Sequence, residues 1–230
     1  MFVYRSPSLN AFKLIRGCPI LESLSLAVSY RWGQSEDYIF NIPTLKHLKL
    51  EATGKCVKTI NKVVLNVPNL EDLFISGEWC SLFVMEDFPT LVSVKISPFV
   101  LWLEHLWVEL LKGISGAKLI SFMPYFQKAK PENYEESEES HWIDPKSVPT
   151  CMLMNLKTMK FEKCMARKDD IQFLEYMLRN AKVLKTLTIM CESGVMEEEF
   201  RLCAKLLNCS KASKYCEIHF VAKSLDSATS

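Results

Sequence analysis

Nine cysteines and four histidines are the residues of this chain best suited to nucleophilic catalysis or metal binding. Their spacing supports neither role strongly, because the sequence contains no C-x-x-C, H-x-x-x-H or H-x-x-E motif. His141 lies ten residues before Cys151, so a Cys/His nucleophile pair is conceivable, although nine cysteines offer such combinations by chance. Cys203 and Cys209 fall on an amphipathic helical pattern, where packing explains them better than metal binding.

Loops that cradle phosphates or present a nucleophile have their own motifs. The sequence contains no G-x-x-x-x-G-K-[ST], no G-x-G-x-x-G and no G-x-S-x-G, and the chain has seven glycines in all. We therefore expect no catalytic residue, no cofactor and no metal ligand, and we interpret the chain as a binding scaffold rather than an enzyme.

The composition of the chain argues against a nucleic acid or a membrane as its partner. Of the 230 residues, 49% are hydrophobic and 24% are charged, with a formal net charge of +1, so the basic excess typical of nucleic-acid or anionic-membrane binding is missing. The most apolar stretch, residues 99–111, is too short and too charged to span a bilayer. The N-terminus lacks the pattern of a secretory signal, and the cysteine count is odd. We therefore expect free thiols and a location in the cytoplasm and/or nucleus.

An internal repeat, P-x-L-x-x-L-x-L, is the clearest pattern. It occurs as "CPILESLSL" (18–26), "IPTLKHLKL" (42–50), "VPNLEDLFI" (67–75) and "FPTLVSVKI" (88–96), with the prolines 24, 25 and 21 residues apart. Two copies without the proline follow at 155–161 and 183–189, and a degenerate copy lies at 116–122. A period of roughly 20–29 residues with L-x-x-L-x-L is the leucine-rich-repeat signature. The repeat therefore predicts an α/β leucine-rich-repeat solenoid with a parallel strand ladder.

Alternation along each strand divides the repeat residues between two faces. The leucine slots point inward, and because one repeat has nothing to bury them against, the repeats must stack. Among the outward positions we predict a partner-binding face formed by His47, Lys49, Asp72, Phe74 and Lys95. Phe74 has two interpretations, since alternation keeps it out of the core. It is either a stray exposed ring, bare or covered by a neighbouring loop, or a contact anchor for a partner.

The repeat and its interruptions predict four segments along the chain. These are leucine-rich repeats over 1–125, an acidic linker over 126–141, a C-terminal unit over 142–222 and a disordered tail over 223–230. The linker is solvated by composition, and its alternative interpretation is an acidic docking or phosphorylation segment around Ser137. Residues 9–16 favour a short helix that feeds the first strand.

The C-terminal unit has a β-α-β-α-β pattern that closes the solenoid. Strands are predicted near 156–162, 184–191 and 215–221, with helices over 169–181 and 196–209 between them. Pro145 and Pro149 are expected to hold the preceding segment extended, and Asp169 or Asp170 to cap the first helix. The predicted inward residues are Ile171, Leu174, Met177, Leu178 and Ala181 on the first helix, and Phe200, Cys203, Ala204 and Leu207 on the second.

Several of these phrases occur in an order that resembles one family. "CPILESLSL", "IPTLKHLKL", "VELLKGISGAKLISF", "WIDPKSVPTCMLMNLKTMKF", "EYMLRNAKVLKTLTI" and "CEIHF" follow one another along the chain. The order looks like that of the plant F-box/FBD/leucine-rich-repeat family, from about Leu9 onward. The tail from Trp142 to Phe220, with W-x-x-P-x-x-V-P-x-C, is similar to the FBD domain and is the most specific part.

The resemblance implies that residues 142–222 are an FBD domain. It also implies that the chain is the substrate-recognition part of an SCF-type (Skp–cullin–F-box) ubiquitin ligase receptor. In that family an F-box docks a Skp-type adaptor, the repeats and the FBD domain face the target, and other subunits carry out the transfer chemistry.

The chain departs from the family pattern at two places. Its repeats begin by about residue 18, which leaves no room for the three helices of an F-box, and it is shorter than the family between Phe122 and Trp142. We therefore expect a Skp-type adaptor as a partner only if an F-box exists upstream. The alternative is a stand-alone leucine-rich-repeat interaction protein, or a truncated paralogue, with no ubiquitin-ligase role. Either way the expected partner is an unidentified protein, and neither a nucleic acid nor a membrane.

Overall fold

The computed structural model describes residues 2–3, 15, 18–29, 37–53, 62–77, 82–85, 88–99, 110–124, 144–192 and 196–221. The strands in this part of the chain are β1 (Phe2–Val3), β2 (Ser23–Ser29), β3 (Tyr38–Asn41), β4 (His47–Thr53), β5 (Lys62–Asn66), β6 (Asp72–Ser76), β7 (Leu82–Met85), β8 (Ser93–Phe99), β9 (Leu119–Pro124), β10 (Thr158–Cys164), β11 (Thr186–Cys191) and β12 (Glu217–Val221). The helices are α1 (Thr150–Met154), α2 (Lys168–Asn180) and α3 (Met196–Leu207).

Nine strands form one large sheet in the order β1-β2-β4-β6-β8-β9-β10-β11-β12, and every neighbouring pair is parallel. The other three form a small parallel sheet in the order β3-β5-β7. Within each sheet the strands follow chain order, so each step of the chain adds one strand beside the last. The prediction of an α/β fold built on a parallel sheet is confirmed.

From β4 onward, a backbone contact recurs wherever the chain enters a strand of the large sheet. The Glu22 carbonyl accepts hydrogen bonds from the amides of Lys46 and His47 at 2.8 and 3.0 Å. Lys46 in turn accepts from the amides of Glu71 and Asp72 at the same two distances. The pattern repeats with acceptors Glu71, Val92, Lys118 and Lys157, and at the last step Lys185 accepts from one amide, that of Glu217. These bonds satisfy backbone groups before the strand ladder begins, and they continue into the C-terminal unit.

The leucine slots of the repeat face the core, as predicted. Of the eighteen slot residues in the six clear copies, seventeen are buried, and Leu21 is partly buried against them. The degenerate copy at 116–122 behaves like the others, because Ala117, Ile120 and Phe122 are fully buried and its strand, β9, pairs with β8 and β10.

The small sheet was not predicted. Each of its strands comes shortly before the proline of the next repeat copy, so the first repeats contain a second short strand as well as the template strand. Its inward side chains join the same hydrophobic cluster as the leucine slots and include Phe40, Val63, Leu65 and Phe83. Short apolar runs such as "YIFN" and "KVVLN" were the available signal, but runs of four or five residues do not distinguish strand from loop.

The segment before the C-terminal strands departs from expectation. Pro145 and Pro149 were expected to keep it extended up to the strand near residue 156, but α1 begins at Thr150. Pro149 is the N-cap residue of this helix, with φ −58° and ψ 141°, a position where a missing backbone N–H costs nothing. The helix forms because it buries Cys151 and Met152 in the core.

The inward face of α3 was predicted wrongly. Leu202 and Leu206 are fully buried, whereas Phe200 is 75% exposed and Leu207 is 60% exposed. The helix carries two apolar stripes. The stripe of Leu202 and Leu206 is the buried one, because it lies on the side of the helix that faces the sheet and α2. The inward stripe predicted for α2 is confirmed in full.

Other differences concern the chain ends. β1 pairs with β2 through Phe2↔Ser25 and Val3↔Leu26, so the large sheet starts before the first repeat copy. Of the short helix predicted over 9–16, Ile15 alone is described, and it is helical and buried. The acidic linker with Ser137, the tail over 223–230 and most of the apolar stretch over 99–111 lie outside the described residues.

The slot residue Leu48 gives a direct test of this core. We expect Leu48→Ala to lower the free energy of unfolding by roughly 2–5 kcal/mol, because it removes a buried leucine and leaves a cavity. Urea titration followed by circular dichroism measures the change. The control is Lys160→Ala, an exposed residue on the opposite side of the ladder, for which less than about 0.5 kcal/mol is expected. A loss below about 1 kcal/mol for Leu48→Ala would contradict a core role for this slot.

Candidate functional site

The five residues predicted to bind a partner lie on three neighbouring strands of the large sheet, β4, β6 and β8. Strand register arranges them in two rows that cross the strands, with neighbours in a row about 4.8 Å apart. The first row contains His47, Asp72 and Ser93, and the second row contains Lys49, Phe74 and Lys95. Sequence reasoning named the face, and the parallel register brings its residues together.

Hydrogen bonds join the side chains of the first row into one unit. Nδ1 of His47 lies 2.8 Å from a carboxylate oxygen of Asp72, and the Ser93 hydroxyl donates to the other oxygen of that carboxylate. His47 and Asp72 are each about half exposed, at 49% and 48% of their side-chain surface. The row therefore presents a polar strip whose geometry is set internally while half of its surface stays available.

The second row is centred on Phe74. The Lys49 ammonium lies 5.3 Å from the centroid of the Phe74 ring, within the range of a cation–π contact. Lys95 is the register partner of Phe74 on its other side. Phe74 is only partly exposed, so it is neither a bare stray ring nor a buried one, and part of its cover comes from the neighbouring lysine.

Acidic side chains compensate the lysines of the second row. Lys49 Nζ lies 3.6 Å from Glu51, and Lys95 Nζ lies 3.0 Å from Glu162 on β10, two strands away. Ser121 donates a hydrogen bond of 2.6 Å to the same Glu162 carboxylate. Burial alone would raise the pKa of Glu162, but the Ser121 hydroxyl and the Lys95 ammonium together hold it below its usual value. Glu162 thus stays ionised and fixes the direction of Lys95.

The two rows line a shallow groove of about 630 Å³. All five predicted residues border it, together with Ser23, Ser25 and Ser93. A groove with one aromatic ring, two lysines and several hydroxyls can bind an extended segment by stacking and hydrogen bonding.

Sequence reasoning missed Ser121 and Glu162 as members of this face. Ser121 occupies the outward slot of the degenerate repeat copy, which could have identified it. Glu162 lies one position beyond the last slot of its copy and reaches Lys95 across β9, a contact that no sequence spacing reports.

The conceivable nucleophile, Cys151, has the wrong environment for catalysis. It is fully buried on α1, and its thiol lies 3.4 Å from the Leu111 carbonyl, to which it donates a hydrogen bond. Burial raises the pKa of Cys151 to about 12, so the reactive thiolate is scarce near neutral pH. Its proposed partner, His141, lies outside the described residues.

Four other described cysteines lie in packed surroundings. Cys164 and Cys191 are register partners on β10 and β11 and both are buried. The Cys164 thiol donates a hydrogen bond to Cys191, and this bond and then burial raise the pKa of Cys164. Cys203 and Cys209 are partly buried on or near α3, and burial raises the pKa of each. Within the described ranges, no group of three or more His, Cys, Asp or Glu side chains is placed to hold a metal ion.

Among the helices in the described part of the chain, none combines the length and the apolar character needed to cross a bilayer.

The C-terminal part of the chain matches a known family. The family model described as FBD matches residues 144–189. Among curated proteins, a putative FBD-associated F-box protein of Arabidopsis thaliana is 26% identical, covering 90% of this chain and 59% of the relative. An FBD-associated F-box protein of the same plant is 28% identical, over 83% of this chain and 50% of the relative. A putative F-box/FBD/LRR-repeat protein, also from Arabidopsis, is 25% identical, over 95% and 54%.

The chain is similar to plant F-box/FBD/leucine-rich-repeat proteins along most of its length, and its residues 144–189 match the FBD family model. It spans about half the length of the curated relatives it matches. No solved structure matches it. The resemblance stated from the sequence is thereby confirmed, while the domain bounds stay a prediction.

The FBD match covers α1, β10, α2 and the first four residues of β11, so this segment contributes to two strands of the large sheet. β10 pairs with β9 of the preceding repeat, and its Glu162 reaches the second row. The FBD segment therefore takes part in the outer face through Glu162.

Asp170 holds the start of α2 in the FBD segment. The helix begins at Lys168 and its N-cap residue is Arg167, so Asp170 caps the start of the helix from the third helical position and not as the N-cap residue. The Asp170 carboxylate instead sits in the first turn and accepts from the amides of Arg167 and Met165 at 3.3 and 3.2 Å. Burial raises the pKa of Asp170 to about 6, although these two amides oppose the rise.

Asp170 predicts a pH-dependent stability. Because its pKa rises from 3.8 to about 6 on folding, its favourable contribution is complete below about pH 4 and is lost as the pH rises through about 6. Asp170→Asn keeps an acceptor for both amides but cannot titrate. The quantity to follow is the free energy of unfolding of the parent chain minus that of the variant. We expect this difference to decrease by about 2 kcal/mol between about pH 4 and pH 7. Urea titrations at stepped pH measure this difference, and a flat or rising profile would contradict it.

The thiols of Cys151 and Cys18 should differ in their rate of alkylation. Iodoacetamide at about pH 8 should alkylate exposed Cys18 in the folded chain and leave buried Cys151 unmodified, because Cys151 lacks both access and thiolate. Peptide mass spectrometry measures both sites, and urea-unfolded protein serves as the control in which both react. Alkylation of Cys151 as fast as Cys18 in the folded chain would restore it as a candidate nucleophile.

Proposed function

We propose that the chain is the target-binding part of an F-box-type receptor. The observation that carries this proposal is the outer face of the ladder, where two rows in register present one aromatic ring among ordered polar groups. The family supplies the context, since the relatives' names combine an F-box with FBD and repeat segments.

We propose further that the large and small sheets are two sides of a leucine-rich-repeat solenoid. In support, the same pair of backbone hydrogen bonds recurs at each step from Glu22 to Lys157, and the second and third apolar slots are buried in each copy. A stack of equivalent steps places equivalent outward positions side by side, which makes the outer face long and continuous.

The target should be a protein segment recognised by shape and hydrogen bonding more than by net charge. Lys49 and Lys95 are each paired with a carboxylate, so the groove has little uncompensated charge. Phe74 remains partly exposed at its centre and supplies apolar contact area, as aromatic residues do at interaction hot spots.

The proposal separates binding of a Skp-type adaptor from binding of the target. We assign adaptor binding to the F-box that the relatives' names mention, and target binding to the ladder described above. We propose a location in the cytoplasm and/or nucleus, where the thiols stay reduced.

Substitutions on the second row test target binding. We expect Phe74→Ala and Lys49→Ala each to weaken capture of the target, with Phe74→Ala costing about tenfold or more in affinity, because truncating a central aromatic anchor removes apolar contact and stacking. The measurement is affinity purification from plant extract with quantitative mass spectrometry, followed by titration of the protein recovered.

The matched control is Lys182→Ala, an exposed lysine in the turn after α2 and away from the groove. It should retain the target at the parental level. Unchanged capture by both second-row variants would remove this face as the target site.

The same purification separates a receptor from a protein without a ligase role. Adaptor and target should co-purify with an F-box-containing relative, and the target alone with the present chain. Recovery of the adaptor with the present chain, lost in Phe74→Ala, would contradict the division of roles proposed here.

A further inference from the structure

Helix α3 carries a second apolar stripe that the core does not use. Leu202 and Leu206 face the core, while Met196, Phe200 and Leu207 are 85%, 75% and 60% exposed. At 100° per residue these three fall on one line with Ala204, on the side of the helix opposite the buried leucines. Single exposed apolar residues are ordinary, but an aligned stripe along a whole helix indicates a contact surface.

The charges beside this stripe are separated by sign. Glu197 and Glu198 lie in the first turn, Arg201 lies at the middle of the helix, and Lys205 lies in the last turn. All four border the same side of the stripe, and with Phe200 and Ala204 they line a shallow groove of about 860 Å³. Within the described residues, none of these four charged side chains takes part in a salt bridge.

This arrangement is complementary to itself. When two identical helices pack antiparallel, the same flank of each meets across the interface, and the first half of one helix lies beside the second half of the other. Glu197 and Glu198 of one copy would then face Lys205 of the other, at two symmetric places. Along the stripe, Met196 would meet Leu207, and the large Phe200 ring would meet the small Ala204.

We propose that α3 pairs with α3 of a second copy of this chain, forming a two-fold symmetric, antiparallel helix interface. The stripe of Met196, Phe200, Ala204 and Leu207 is its centre, and the charge pairs are its edge. A second copy fits this surface better than an unrelated helix, because a single sequence supplies both the large and small partners and both signs of charge.

Pairing through α3 would leave the outer face of the ladder free. α3 connects β11 and β12, and the strands that carry the two rows are β4, β6 and β8, which lie further along the sheet. A dimer would therefore present two target-binding faces, and a target with two sites, or two copies of it, would be held with increased avidity.

Sedimentation velocity over a concentration series tests the pairing. The parent chain should form a dimer, and Phe200→Asp should weaken the dimer at least tenfold, since the substitution places a charge at the interface centre twice. Met154→Asp is the control, because Met154 is also an exposed methionine, 67% accessible, but lies on α1. It should leave the dimer unchanged. The proposal would be overturned if the dimer of the parent chain had a dissociation constant above about 1 mM. It would also be overturned if Phe200→Asp left the dissociation constant unchanged.

A charge exchange tests the antiparallel register. The double variant Glu197→Lys, Glu198→Lys and the single variant Lys205→Glu should each dimerise more weakly than the parent, because like charges then face each other. An equimolar mixture of the two should form a mixed dimer about as tight as the parental one, since the residues at 197 and 198 of each copy again face a residue of opposite sign at 205 of the other. Failure of the mixture to associate would reject the antiparallel register, and circular dichroism of each variant shows that loss of pairing is not loss of folding.

Discussion

The structure depends on one contact that is repeated at each step of the chain. A backbone carbonyl just before each strand accepts two amides from the start of the next strand, first at Glu22 and last, with one amide, at Lys185. This contact sets the same offset, along the strand direction, between each strand and the next. Because the offset is constant, the leucine slots of successive steps meet in one core and the outward side chains line up in rows.

The rows explain how a polar surface can be well defined on a fold with few unusual residues. Neighbouring side chains are held about 4.8 Å apart by the sheet, so short residues can reach each other directly. His47, Asp72 and Ser93 do so, and longer lysines reach carboxylates on the same or more distant strands. A surface with compensated charges is costly for a wrong partner to desolvate, which favours selectivity over general adhesion.

Much of this arrangement could be predicted because a strand has a period of two. The inward slots, the outward five residues and the strands of the C-terminal unit all follow from alternation combined with the repeat spacing. The small sheet, α1 and the buried face of α3 could not be predicted in this way. Short apolar runs have no period to read, and α3 has two apolar stripes between which the sequence alone cannot choose.

The sequence by itself determined which side chains are apolar at each step, and therefore that the steps must stack. Only the tertiary structure decided which residues meet across the steps. Lys95 meets Glu162 across β9, and Leu202 rather than Phe200 enters the core, because both outcomes depend on the distance between elements far apart in the chain. Local periodicity sets the direction of a side chain, whereas packing of distant segments sets its partner.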